Sequence, residues 1–103
     1  MPGLNEVFGA LADPTRREVL RSLAEQPGLT ASRLAGELPM TRQAVSKHLH
    51  ALSGAGLVTA RREGRETRYT ITPAPLADAM QWMTEVGAEW DARLQRLGRR
   101  SRS

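Results

Sequence analysis

The residues Ser46-Lys47-His48-Leu49-His50 bring a hydroxyl, an ammonium and two imidazoles together, the materials of a nucleophile and its base. Catalysis does not follow from them. At these offsets along a helix the side chains do not assemble into a nucleophile–base–acid arrangement. His48 and His50, two apart, point to different faces and cannot chelate one ion. His48 borders an apolar stripe and is expected to be a satisfied core-edge histidine, whereas His50 faces outward. Gly54-Ala55-Gly56 closes a helix instead of opening one, so it is no phosphate cradle. The chain has no cysteine, which removes disulfides, thiolate metal sites and cysteine nucleophiles together.

What these residues can do is donate hydrogen bonds. Opposite the stripe Val45, Leu49 and Leu52, the same segment presents Arg42, Gln43, Ser46, Lys47 and His50, with Thr41 at its start. Glutamine suits adenine edges, lysine guanine edges, and serine either base edges or phosphate. Acidic side chains would repel phosphate, and Arg42 to Ala60 contains none. An ordinary solvated face would mix both signs of charge. Fifteen Lys and Arg against 11 Asp and Glu, a net charge of +4, fit a polyanionic partner.

These donors need helices to aim them. Leu4, Val7, Phe8 and Leu11 recur at helical spacing. Asp13-Pro14 opens a second helix, with an N-cap followed by proline at the first helical position. That helix carries Val19, Leu20 and Leu23 and ends before Pro27-Gly28. Thr30 caps a short third helix with Leu34 and Leu38, and Pro39-Met40 breaks it. Thr41 caps the fourth, which Gly54 and Gly56 close. Helices three and four, so closely joined, outline a helix-turn-helix.

Beyond Gly56 the period changes. Leu57 to Arg62 reads as a strand, Glu63-Gly64-Arg65 as a turn and Glu66 to Thr72 as the returning strand, with Val58, Thr70 and Ile71 favouring β structure. Such a hairpin behind a helix-turn-helix is a wing. Its Arg61, Arg62, Arg65 and Arg68 suit phosphate or a narrow minor groove. Glu63 and Glu66 flank the tip, so cross-strand Arg–Glu pairs can orient some arginines and leave others free. The expected fold is mainly α with a small β-hairpin, a winged helix-turn-helix of about five helices and a two-stranded wing.

Pro73 and Pro75 end the hairpin, and a long helix is expected from about Leu76 to Leu97. Leu76, Met80, Met83, Gly87, Trp90, Leu94 and Leu97 follow an alternating four-three spacing, the seam of a coiled-coil-like contact; Ala79, Trp82 and Val86 widen it. Together with Leu4, Val7 and Phe8 of the first helix, this seam predicts a homodimer interface. Residues 1–97 are thus one DNA-binding and dimerisation domain, and 98–103 a flexible basic tail. Trp82, Trp90, Met80 and Met83 have the chemistry of either dimer core or an apolar small-molecule effector pocket.

Leu11-Ala12-Asp13-Pro14-Thr15-Arg16-Arg17, Gln43-Ala44-Val45-Ser46-Lys47-His48-Leu49 and Gly54-Ala55-Gly56-Leu57-Val58 closely resemble the ArsR family of winged-helix repressors, and Arg62-Glu63-Gly64-Arg65 with Tyr69 resembles its wing. The resemblance spans roughly Leu4 to Leu97. It implies a dimeric repressor on an inverted-repeat double-stranded DNA operator, pairing through its first and last helices. Where founding members carry a Cys-x-Cys metal site, this chain has Thr30 and Ser32, and neither hydroxyl replaces a thiolate for soft metals. Another family site uses carboxylate and histidine ligands on the last helix; Asp78, Glu85, Glu89 and Asp91 stand there without a histidine. The expectation is therefore no metal, no cofactor and no enzymatic activity. A winged-helix module for protein or RNA, and a DNA-coating protein without sequence preference, are the alternatives. No apolar run reaches the ~20 residues of a membrane span, which favours a cytoplasmic protein.

Overall fold

A computed structural model describes residues 3–101, with side chains to residue 98. The order is α1 (Leu4–Leu11), α2 (Pro14–Glu25), α3 (Ala31–Glu37), α4 (Arg42–Gly54), β1 (Val58–Glu63), β2 (Glu66–Ile71) and α5 (Pro73–Ser101). Each short helix starts where its first residues satisfy orphan backbone N–H groups. The Glu6 carboxylate accepts from Gly3 N–H at 2.9 Å. Asp13 accepts from Thr15 N–H at 2.8 Å and Arg16 N–H at 3.3 Å. Thr30 accepts from Arg33 N–H at 3.2 Å, and Thr41 from Ala44 N–H at 3.1 Å.

The end of α4 is equally local in origin. Gly56 takes a φ of 75°, Gly56 N–H donates to Ser53 and Leu57 N–H reaches back to Leu52, both at 3.0 Å. This is the Schellman pattern that a left-handed glycine permits, and it delivers Leu57 into the core beside Leu52, both fully buried. Gly54 remains in the last helical turn.

Val7, Val19, Leu23, Leu34, Val45, Leu49, Leu52 and Leu57, each nearly without exposed surface, make one core beneath α1 to α4 and the hairpin root. β1 pairs antiparallel with β2, Val58 opposite Ile71 through Glu63 opposite Glu66. The strands are one residue offset from expectation at the tip. Glu63 belongs to β1, and Gly64-Arg65 alone turn the chain, with Gly64 at φ 62°. A two-residue loop with glycine first matches the twist of the strands. An isolated bridge between Leu29 and Tyr69, with Gly28 N–H donating to Tyr69 and Tyr69 N–H to Leu29 at 3.0 Å, ties the α2–α3 loop to the wing.

α5 corrects the expected boundaries. It begins at Pro73, since proline is tolerated in a first turn whose N–H groups lack partners anyway. Of the basic tail expected over 98–103, the backbone stays helical through Ser101; its side chains beyond 98, and residues 102 and 103, lie outside the described residues. No helix among the described residues is long and apolar enough to cross a membrane.

The face of α5 splits in two. Ala79, 1% exposed, enters the chain's own core, Leu76 packs against it, and Trp82 meets Phe8 edge-on with ring centroids 5.5 Å apart. Met80, Met83, Trp90, Leu94 and Leu97 remain 49–63% exposed. Ala79, expected to widen the seam, is buried in the chain's own core, whereas Trp82 sets its ring against Phe8 of α1 and stays 45% exposed. Val7, expected on the dimer face, is 2% exposed and lies in the core of the single chain.

Candidate nucleic-acid interface

α3 and α4 are packed as a helix-turn-helix. The buried stripe of Val45, Leu49 and Leu52 turns the other side of α4 to solvent. There Arg42, Gln43, Ser46, Lys47 and His50 line one concavity of about 510 Å³. Every residue of this lining can donate a hydrogen bond, and none is acidic. Thr41 sits at its start, its hydroxyl oxygen already capping the helix while its O–H remains able to donate.

His48 departs from expectation. It is half-buried at the core edge, but its Nδ1 is enclosed without a hydrogen-bond partner, as is Nε of Arg16. A satisfied histidine was expected because sequence position indicates burial and not the availability of an acceptor or donor. Asp13, at the nearby start of α2, has its carboxyl held below the usual carboxylate range, first by the Arg16 backbone N–H, then by that of Thr15, and further by the charges of His48 and Arg16.

The four wing arginines are not equivalent. Alternation places Arg62 on the strand face shared with Val58 and Ala60, and Arg61 on the opposite face, directly across from Arg68. Arg68 is engaged: its guanidinium contacts Glu63 at 3.4 Å and Glu66 at 3.2 Å and donates to the Gly28 carbonyl at 3.0 Å. It therefore organises the wing and is not a free cation. Arg62 donates through Nε to the Gly64 carbonyl at 3.1 Å, bracing the tip. Arg61 and Arg65 have no intrachain partner among the described residues. A second hollow, about 240 Å³, lies between α3, α4 and the wing and shares Arg42 and Ser46 with the first. Donors thus extend from the α4 face to the hairpin through a hollow whose wall also carries Glu66.

Comparisons with known proteins agree with this geometry. Residues 11–61 match a helix-turn-helix domain model. An ArsR-like transcriptional regulator from Rhodococcus sp. RHA1 superposes with a TM-score of 0.79 at 45% identity, covering 91% of this chain and 88% of that one. The chain belongs to the ArsR family. Its fold is the winged helix-turn-helix of that family of transcriptional regulators. The homodimeric winged helix-turn-helix DNA-binding domain of Mb0332 from Mycobacterium bovis is similar, with a TM-score of 0.66 and 33% identity over 82% of this chain and 78% of that one. The regulator CmtR of Mycobacterium tuberculosis is 44% identical over 80 residues, 75% of this chain; the chain spans 64% of the length of CmtR. CmtR is described as a cadmium metal sensor.

Thr30, which caps α3, and Ser32 border the second hollow, and no group of three or more His, Cys, Asp or Glu side chains able to hold a metal occurs among the described residues. Trp82 is taken by Phe8, and Trp90, two turns further on, lies under the Arg93 guanidinium at 5.7 Å. Sequence reasoning missed the Leu29–Tyr69 bridge, which sets the wing against α3; a single apolar residue in a loop carries no periodic signal.

Proposed function

We propose that this chain is a homodimeric transcriptional repressor that reads an inverted-repeat operator in double-stranded DNA, with α4 in the major groove and the wing on the backbone. The observation carrying this reading is the α4 concavity, with five donor side chains and no carboxylate, adjoining a hollow that reaches the wing. Gln43 and Lys47 have the chemistry to contact base edges, Arg42, Ser46 and His50 flank them, and Arg61, Arg62 and Arg65 supply positive charge beside them. One such helix contacts few base pairs. Two, related by a two-fold axis, read half-sites ~34–36 Å apart. The exposed apolar face of α5 supports that pairing, and a dimer occupying its operator would exclude other proteins from the same DNA.

Release from DNA is not through thiolate chemistry in this reading, because the chain has no cysteine. Selection of bound sequences from a random duplex pool tests the whole proposal. An enriched inverted repeat is expected. Enrichment of nothing, with binding that depends on salt alone, would leave a DNA-coating protein in its place.

A further inference from the structure

The 240 Å³ hollow between α3, α4 and the wing is smaller than the ~300–1,000 Å³ of ordinary organic-ligand pockets, and its lining is polar. Three guanidiniums from separate segments line it: Arg42 at the start of α4, Arg62 on β1 and Arg65 in the turn. Hydroxyls come from Ser32 on α3 and Thr67 on β2. The carboxylate on its wall, Glu66, is bonded to Arg68 at 3.2 Å, which offsets part of its repulsion of an anion. Arg62 uses its Nε on Gly64, which leaves its terminal nitrogens for another acceptor. Arg65, Ser32 and Thr67 have side chains without intrachain partners among the described residues. The hollow is also held in shape, because the paired bonds between Tyr69 and the Gly28-Leu29 backbone fix the wing beside the start of α3.

We infer that this hollow is an oxyanion seat, which takes one tetrahedral phosphate through Arg62, Arg65 and the Ser32 hydroxyl. Guanidiniums bind such oxygens in bidentate fashion, and charge-assisted bonds of this kind are stronger than neutral ones. The inference rests on the DNA-reading proposal for its place in function. Two sources supply the same chemistry: a backbone phosphate of bound duplex, and free inorganic phosphate. The seat therefore positions DNA, and it makes binding sensitive to phosphate beyond the effect of ionic strength.

The test follows the backbone amides of Ser32, Arg65 and Thr67 by NMR in the DNA-free protein, titrated with inorganic phosphate against chloride at matched ionic strength. Saturable shifts confined to this seat, with the same amides shifted by a random-sequence duplex of about three helical turns and no longer responsive to phosphate once that duplex is bound, would establish both sources. Shifts with duplex and none with phosphate support the seat only if Ser32→Asp also lowers the salt slope of duplex binding by about one unit. Thr70→Asp, on the opposite hairpin face, serves as the control and should leave the slope unchanged. Unmoved seat amides, or equal effects of the two Asp variants, would overturn the seat while duplex binding persists. Absence of any duplex binding by the wild-type chain would instead strike the DNA reading itself.

Discussion

Arg68 faces Arg61 directly across the hairpin, and the two are not repelled into disorder because Arg68 turns its Nε to Glu63, 3.4 Å away. Glu63 in turn faces Glu66, and Arg68 contacts that residue also. Arg68 thus bridges the two facing glutamates and offsets their mutual repulsion, while Arg61 keeps no partner among the described residues. All three side chains are about half exposed, so each pair contributes at most ~1 kcal/mol. Arg68→Ala should loosen the wing, read as faster amide exchange in β1 and β2. Arg65→Ala should leave exchange unchanged and lower the salt slope of duplex binding by about one unit. Identical behaviour of the two variants would show that Arg68 is not a structural residue.

On the α4 face, Gln43→Ala or Lys47→Ala should each remove a bidentate bond to a base, weaken the selected operator by ~1–3 kcal/mol, and relax the preference at that base pair. Titration of the operator and of single-base variants measures both. Retained affinity and preference would mean that another face reads the DNA.

The Asp13 cap supplies a pH dependence whose sign is fixed. Its carboxyl titrates below its ordinary 3.8 because the Arg16 and Thr15 N–H groups bind the ionised form. The folded value is depressed, so the stabilisation is fully present above pH 3.8 and fades as acid carries the protein below it. Asp13→Asn, which still accepts a hydrogen bond but does not ionise, should flatten this acid limb in thermal melts. A limb unchanged by the substitution would place its origin in other carboxylates.

Neighbouring positions of α5 should separate folding from association. Met83→Ala with Trp90→Ala removes side chains exposed in the single chain, and should shift the protein toward monomer by up to ~1.5–3 kcal/mol per buried residue. Ala79→Leu, at a site 1% exposed, should instead cost ~1–3 kcal/mol of monomer stability through overpacking. Gly87→Leu is a sharper probe. A Cβ there meets nothing within 4 Å in the single chain, so the substitution should raise helix stability and yet weaken a dimer whose helices cross at that glycine. Sedimentation and melting together decide, and a wild-type monomer at micromolar concentration would contradict the interface.

Equimolar zinc, cadmium, copper or arsenite should leave operator affinity unchanged, since no thiolate exists in the chain. A metal-dependent loss of binding in the same titration would require carboxylates and histidines to meet across the dimer.

Much of this was legible in sequence because it is local. Asp13, Thr30 and Thr41 cap helices through bonds to residues two or three further on, and Gly56 ends α4 through bonds to Ser53 and Leu52. Periodicity likewise marked Val45, Leu49 and Leu52 as buried, leaving Arg42, Gln43, Ser46, Lys47 and His50 outside, because a helix has one core-facing side. Tertiary structure decided what periodicity leaves equivalent. Val7 and Leu4 share an apolar face, but packing depth buries only Val7 completely. The broad apolar stripe of α5 reads as one surface, whereas docking on α1 assigns Ala79 inward and Met80 outward. Four wing arginines look alike in sequence; cross-strand register engages Arg68 and leaves Arg61 and Arg65 available. Those distinctions depend on contacts between segments distant along the chain, which no local pattern specifies.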